Sequence, residues 1–166
     1  MSAYTYRAAT PEDGATILHL VTELAIYEKA EKEVVATAED FNRALSQGSS
    51  ALLVEDATGD AVGFALWFPT FSTWLGRPGM FLEDLYVVPE HRGRGLGVGL
   101  LARLAACCTA RGYRRFEWRV LDWNRPSIDF YEALGATQLS EWYTYRLEGK
   151  ALELLAKRGQ TNFSAT

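Results

Sequence analysis

Residues 83–100 read EDLYVVPEHRGRGLGVGL, and this stretch decides the fold more than any other part of the chain. Residues 85–88 are apolar, Pro89 ends that run, and a turn rich in glycine and arginine leads into an amphipathic segment. This order predicts a strand, a tight turn and a helix. Backbone N–H groups in the first turn of a helix have no intrahelical partner, and the helix dipole places partial positive charge there. The stretch is therefore typical of a site that binds phosphate groups.

The spacing of the glycines excludes two common nucleotide sites. A P-loop requires Lys-Ser or Lys-Thr after its glycines, and neither pair follows here. A dinucleotide-binding G-x-G-x-x-G requires glycine at position 98 or 100, where the chain has Val98 and Leu100. The pattern that remains is Arg92-x-x-Gly95-x-Gly97. The simpler alternative is a loop whose glycines only let a strand turn into a helix.

The composition indicates one globular domain spanning residues 1–166, with a tail that frays after about residue 156. A net charge of −4 argues against general binding to nucleic acid or to an anionic membrane, and it is compatible with a cationic substrate. We expect a cytoplasmic protein, because the chain has no secretory leader and no apolar run that spans a bilayer. Cys107 and Cys108 are adjacent and far from both histidines in sequence, so we expect neither an ordinary disulfide nor a metal site.

Periodicity and turn residues predict a mixed α/β (α+β-like) chain. We expect strands over residues 4–9, 51–55, 61–68, 80–88 and 116–121, with a last strand within 136–147. Helices are expected after the caps Thr10 and Thr37, after the glycine turn, and over residues 125–134, while 71–79 is expected to be a loop. The helix after the glycine turn is expected to bury Leu100, Leu101, Leu104, Ala105 and Cys108. Strand, helix and strand over residues 80–122 suit a parallel crossover.

A second informative stretch is LDWNRPSIDFYEALGA, residues 121–136. Asn124 suits a helix cap, Pro126 suits the first turn, and Ser127 and Tyr131 share a helical face because they lie four residues apart. By itself Tyr131 is better explained as an amphipathic residue at the edge of the core, and only its pairing with the glycine turn favours a functional role.

Both stretches resemble motifs of the GNAT superfamily, the Gcn5-related N-acetyltransferases. Arg92-x-x-Gly95-x-Gly97 resembles R/Q-x-x-G-x-G/A, and Asn124 to Tyr131 resembles N-x-x-[AS]-x-x-[FL]-Y. Further blocks around Glu23–Glu28, Trp74–Gly76, Leu82–Leu85 and Trp123–Tyr131 are similar to the diamine (spermidine/spermine) N-acetyltransferase branch. The resemblance implies a GNAT fold, in which a central mixed, twisted sheet is flanked by helices and a parallel strand–helix–strand unit forms the acetyl-CoA cleft.

The resemblance also implies a role for each matching residue. Acetyl-CoA, the co-substrate, would contact Leu85, Tyr86, Val87, Arg92, Gly93, Arg94, Gly95, Leu96, Gly97, Val98, Asn124, Pro126, Ser127 and Tyr131. Tyr131 would act as general acid, and Glu83 would accept the proton of the substrate, directly or through water. The amine would be lined by Tyr27, Glu28, Trp74, Glu83, Asp84 and parts of Glu117-Trp118-Arg119.

The implied chemistry is acetyl transfer to a primary amine of a small molecule in a ternary complex. Such an amine has a pKa near ~10.4 and must lose a proton before it attacks a thioester. Arg119 would repel a polyamine if it faces the site, and the sequence leaves its direction open. A lysine-like or thialysine-like acceptor, which carries a carboxylate as well as an amine, suits this mixture of charges better.

Two other functions remain open from the sequence. A non-catalytic acyl-CoA sensor need not keep both Tyr131 and Glu83. A protein acetyltransferase needs an open groove, whereas Trp74 and the residues around it suggest a covered pocket. Trp142, Tyr143 and Tyr145 in the last expected strand suggest an interface, and the family branch implies a homodimer, although ordinary sheet packing would also explain these aromatic residues.

Overall fold

The computed structural model describes residues 4–159, which contain five strands and five α-helices. The strands are β1 (Thr5–Ala8), β2 (Ser50–Glu55), β3 (Ala61–Ser72), β4 (Arg77–Val87) and β5 (Phe116–Trp118). The helices are α1 (Gly14–Tyr27), α2 (Ala38–Ser46), α3 (Leu96–Ala110), α4 (Arg125–Ala133) and α5 (Gly149–Gly159). The chain divides into two compact units, Met1–Arg119 and Val120–Thr166.

The first unit contains a single five-stranded sheet with the strands in the order β1-β2-β3-β4-β5. Strands β1 to β4 pair with one another in antiparallel order. β5 pairs with β4 in parallel through Met80–Phe116, Phe81–Glu117 and Leu82–Trp118. A parallel pair needs a crossover, which α3 provides here. The mixed sheet and its strand–helix–strand unit confirm the predicted fold class.

Apolar side chains cover both faces of the sheet. The α1 face is the face on which Ile17 and Leu20 of α1 pack against Leu53, Phe64 and Tyr86. The α3 face is the opposite one, where the Sγ atom of Cys108 lies 3.7 Å from the Sδ atom of Met80. Leu100, Leu101, Leu104 and Cys108 of α3 are buried, as expected, but Ala105 is exposed. The prediction for Ala105 was therefore wrong.

A β-bulge in β4 determines where the acidic residues point. Leu66 pairs with Asp84 and Trp67 pairs with Leu82, so Glu83 is an extra residue with no partner of its own in β3. Cross-strand partners share a face of the sheet, and Leu66 belongs to the α1 face. Asp84 therefore points to the α1 face although Leu82, two residues earlier, is fully buried on the α3 face.

Three segments differ from the sequence-based expectation. The loop expected at 71–79 is mostly strand, because β3 and β4 form a long hairpin closed by a turn over residues 73–76. β5 ends at Trp118 instead of Leu121. Residues 136–148, all within the described range, contain no strand, so the prediction of a last strand was wrong. A strand requires a paired neighbour, which hydrophobic alternation alone does not supply.

The second unit contains α4 and α5. Asn124 caps α4, since its side chain accepts a hydrogen bond from the backbone N–H of Ser127, and Pro126 lies in the first turn, as predicted. The expected fraying after about residue 156 does not hold for residues 157–159, which are helical, and the remainder of that prediction lies outside the described residues. None of the helices in residues 4–159 has the length and apolar character needed to cross a membrane.

Candidate active site

The glycine turn has the backbone conformation that its sequence predicts. Gly93 and Gly95 adopt left-handed φ values of 72° and 78°, and α3 begins immediately afterwards at Leu96. A Cβ atom at either position would meet no other atom within 4 Å, so glycine is required here by the backbone conformation and not by packing. The N–H groups in the first helical turn, which include those of Leu96, Gly97 and Val98, are available to an anion.

Two hydrogen bonds hold the Arg94 side chain against Tyr4 and the backbone at Glu90. Its Nη1 atom donates to the Tyr4 hydroxyl at 2.9 Å, and its Nη2 atom donates to the carbonyl of Glu90 at 3.3 Å. The same hydroxyl is hydrogen-bonded to Nδ1 of His91 at 3.0 Å. Sequence reasoning missed Tyr4, because a tyrosine ninety residues from the turn gives no local signal of this contact.

The Arg92 side chain folds back toward α1 and β4. Its Nε atom donates to the carbonyl of Val87 at 2.8 Å. The guanidinium carbon lies 5.0 Å from the ring centroid of Tyr27 and 5.3 Å from that of Tyr86, within the range of cation–π contacts. The pKa of the Tyr86 hydroxyl is raised, mainly by burial, and the positive charge of Arg92 offsets part of this increase.

Asp84 and Glu28 form an acidic cluster on the α1 face. Burial, with repulsion from Glu83 and Glu28, raises the pKa of Asp84 to about 6. Burial also raises the pKa of Glu28, the residue that follows the last turn of α1. Both carboxyl groups are partly buried, whereas Glu83 is exposed at the bulge. A cationic group would relieve the cost of ionising this cluster.

The turn after α1 positions Tyr27 and Glu28. The N–H of Ala30 donates to the carbonyl of Ala25 at 2.8 Å, and that of Lys29 donates to Ile26 at 3.1 Å. These two bonds are those of a Schellman motif. Lys29 occupies the left-handed position of this motif with a φ of 62°, where glycine is the usual residue. The chain thus turns sharply just after the two predicted substrate residues.

The residues of β5 separate onto the two faces of the sheet. Glu117 is the neighbour of Phe81 in the parallel register, and the Arg119 guanidinium carbon lies 4.9 Å from the Phe81 ring centroid. Phe81 packs on Phe68 with ring centroids 5.4 Å apart, and Phe68 is two residues beyond Leu66 on the α1 face. Arg119 therefore lies on the same face as Asp84. Trp118 pairs with Leu82 and lies on the other face, so it is not brought together with the acidic cluster.

Trp74 lies in the turn at the tip of the β3–β4 hairpin and is 82% exposed. Asp84 is seven residues beyond the start of β4 at Arg77, or about 23 Å at ~3.3 Å per residue. The structure thus does not bring Trp74 and the acidic cluster together within this chain. Trp74 is exposed at this tip, and the covered pocket expected around it stays a prediction.

One edge of β4 lacks a strand partner beyond Leu82 in the described residues, because the pairing with β5 ends there. The N–H of Val88 donates to the carbonyl of Val62 in β3, so the backbone groups of Val87 point to the other edge. Leu85 and Val87 thus present backbone groups along an edge that leads to the glycine turn. An extended amide-containing ligand fits such an edge.

The second predicted motif lies in the second unit. Asn124 is 5% exposed, and Ser127 and Tyr131 are partly buried on α4. The ring centroid of Tyr131 lies 5.3 Å from that of its neighbour Phe130. The four-residue spacing of Ser127 and Tyr131 falls within one continuous helix, which places both side chains on one helical face, as expected.

Comparisons with known proteins agree with the motifs. A family model described as "Acetyltransferase (GNAT) family" matches residues 15–136. The thialysine N-epsilon-acetyltransferase of Sus scrofa is 36% identical over 170 residues, which cover 94% of this chain and 99% of that protein. The spermidine/spermine N(1)-acetyltransferase-like protein 1 of Homo sapiens is 30% identical over 92% of this chain, but only 24% of its own length is covered.

The fold has close neighbours among solved structures. An integron cassette protein from the mobile metagenome of V. cholerae superposes with a TM-score of 0.79 at 24% sequence identity, covering 95% of this chain and 99% of that one. This likeness concerns the fold, which agrees with the mixed sheet described above. The match of the family model over residues 15–136 and the full-length relative at 36% identity show that this chain belongs to the GNAT acetyltransferase family.

Proposed function

We propose that the chain transfers the acetyl group of acetyl-CoA to the side-chain amine of a free, lysine-like amino acid. Membership in the family supports acetyl transfer, and the full-length similarity to thialysine acetyltransferases supports an amine of a small molecule as acceptor. The observation that carries the finer proposal is the distribution of charge on the α1 face. Asp84 and Glu28 lie on that face together with the cation of Arg119.

Asp84 and Glu28 bind the ammonium end of the acceptor in this proposal. Asp84 lies three residues from Phe81, over whose ring Arg119 is placed, so the two charged regions are about 7–10 Å apart along the strand. Arg119 binds the carboxylate at the other end of the acceptor. A polyamine has no group that pairs with this cation, which makes it the poorer substrate.

Acetyl-CoA binds along β4 and the glycine turn. Its pantetheine amides pair with the unpaired edge at Leu85 and Val87, whereas the backbone groups of Tyr86 face β3 and do not take part as the motif implied. Its pyrophosphate meets the N–H groups between Gly93 and Val98 and the charge of Arg94. Asn124, Pro126 and Ser127 are assigned to the pantetheine arm and nearby groups. The left-handed conformations of Gly93 and Gly95 and the open space around them support the placement of the pyrophosphate at this turn.

The reaction needs three proton transfers. The ammonium loses a proton to Glu83, directly or through water, and the free amine forms the N–C bond at the thioester carbonyl. The C–S bond then breaks, Tyr131 donates a proton to the departing thiolate, and the second proton that the acetylated nitrogen releases restores the Tyr131 hydroxyl, directly or through water. Because both substrates are bound together, much of the acceleration comes from proximity, and no covalent enzyme intermediate forms.

A panel of amines assayed with acetyl-CoA tests the proposal. We expect kcat/KM for lysine, thialysine and ornithine to exceed that for putrescine and spermidine by about tenfold or more, since one unpaired charge costs at least ~1.4 kcal/mol. A strong preference for spermidine would contradict the amino-acid acceptor while leaving acetyl transfer intact. Binding of CoA without transfer to any amine would favour the sensor.

We also propose that the protein is a cytoplasmic homodimer. Cys107 and Cys108 are free thiols, as is usual in a reducing compartment. Trp142, Tyr143 and Tyr145 are 65%, 82% and 92% exposed, and large exposed aromatic groups are common at subunit interfaces. Fractionation of cells and sedimentation of the purified protein test these two statements.

A further inference from the structure

The two arginines of the glycine turn lie in different surroundings, although their sequence positions make them look equivalent. Arg94 donates hydrogen bonds to the Tyr4 hydroxyl and to the Glu90 carbonyl. Arg92 is turned the other way, over Tyr27 of α1 and Tyr86 of β4. The motif alone assigns both charges to the phosphates of the donor.

The Arg92 side chain contacts two different elements at once. Its Nε atom is engaged by the Val87 carbonyl at 2.8 Å, at the end of the unpaired edge of β4. Its planar guanidinium lies over the rings of Tyr27 and Tyr86, within cation–π distance of both. Arg92 therefore ties the last turn of α1 to the end of β4.

We propose that Arg92 is a positioning residue for the acceptor site, and that the full charge which meets the donor phosphates comes from Arg94. Arg92 acts through Tyr27, which precedes Glu28 at the end of α1. Arg92 fixes the Tyr27 ring and the Val87 carbonyl. It thereby keeps the acidic cluster at a set distance from the unpaired edge of β4, along which acetyl-CoA is proposed to bind. This assignment rests on the proposed acetyl transfer.

The test compares Arg92→Met with Arg94→Met, a matched pair in the same turn. CoA affinity is measured by calorimetric titration without any amine, and KM is measured separately for lysine and for acetyl-CoA. We expect Arg92→Met to raise the KM for lysine at least tenfold while the Kd for CoA stays within about twofold. Arg94→Met is expected to weaken CoA binding at least tenfold and to leave the KM for lysine nearly unchanged.

A double-mutant cycle with Tyr27→Leu separates positioning from general damage to the fold. If Arg92 acts through Tyr27, Arg92→Met should change the KM for lysine by less than about threefold in the Tyr27→Leu background. The proposal is overturned if Arg92→Met weakens CoA binding as much as Arg94→Met does, if it leaves the KM for lysine unchanged, or if its effect is the same in both backgrounds. Acetyl transfer by the wild-type chain tests the proposed function separately, because the CoA titration needs no turnover.

Discussion

At position 131 a phenolic hydroxyl lies four residues after Ser127 on α4, partly buried and next to Phe130. If this hydroxyl protonates the departing thiolate, its removal should slow the chemical step and leave binding intact. We expect Tyr131→Phe to lower kcat by about 10²-fold or more, with the Kd for CoA little changed. Steady-state rates combined with CoA titration measure both quantities. Near-normal turnover by a folded variant would remove Tyr131 from the mechanism.

The ionised side chain of Asp84 destabilises the folded protein. Its pKa is about 6 in the fold, mainly through burial, and returns to about 3.8 when unfolding exposes the carboxyl group. As the pH rises from about 4 to 6, the unfolded state releases this proton first, so the folded state loses stability. We expect Asp84→Asn to stabilise the protein at pH 8 by up to ~3 kcal/mol and to have a much smaller effect at pH 4, where the folded-state carboxyl is protonated and the unfolded-state carboxyl is about half protonated.

Thermal unfolding at the two pH values measures this difference. Asp122→Asn changes a similar carboxyl group at an exposed position and serves as the control, with little change expected at either pH. The same Asp84→Asn substitution should raise the KM for the amine, because the cluster loses a negative charge. If Asp84→Asn stabilised the protein relative to wild type no more at pH 8 than at pH 4, ionised Asp84 would not be costly in the fold.

At the scale of elements, Arg7 joins β1, the turn before α1, and β2. Its Nη1 and Nη2 atoms donate to the two carboxylate oxygens of Asp13 at 2.8 and 2.7 Å, and its Nε atom donates to Glu55 at 2.6 Å. The bonds from Arg7 lower the pKa of Asp13 to about 2. Since this folded-state pKa lies below the unfolded value of 3.8, the stabilisation is present above about pH 4 and is lost as the pH falls toward 2.

We therefore expect Arg7→Met to cost ~1–2 kcal/mol at pH 7, an estimate reduced for the partial exposure of Arg7. The difference from wild type should narrow as the pH falls from 4 to 2. Arg43→Met removes an exposed pair in which the Arg43 Nη1 atom lies 3.8 Å from Asp40, and it should cost less than ~0.5 kcal/mol. Denaturant unfolding across this pH range measures both; equal costs for the two variants would contradict the prediction.

Turn and capping preferences of single residues predicted the features that depend on neighbouring residues in sequence. Examples are the left-handed glycines before α3 and the Asn124 cap of α4. The bulge at Glu83 gave no such signal, because it depends on how β4 pairs with β3. The sequence therefore left open which acid faces the α1 side, and the structure assigns that position to Asp84. The length of the β3–β4 hairpin was missed for the same reason. Pairing of residues 68–72 with β4 keeps Pro78 and Gly79 in a strand, although both residue types usually indicate a turn. The family likeness implies roles for the site residues, which stay predictions, and it gave no indication of the direction of the Arg92 side chain.

For the whole molecule, the segment 136–148 offers the test of assembly. Trp142, Tyr143 and Tyr145 expose most of their surface, and burying an aromatic side chain contributes about 1.5–3 kcal/mol. If this segment forms the interface of the proposed homodimer, replacing all three residues with serine should weaken association at least ~100-fold. Phe71→Ser is the control, because Phe71 is 65% exposed at the hairpin, like Trp142. Sedimentation velocity should show a dimer for wild type and Phe71→Ser but a monomer for the triple variant, whereas a wild-type monomer or a dimeric triple variant would contradict this interface.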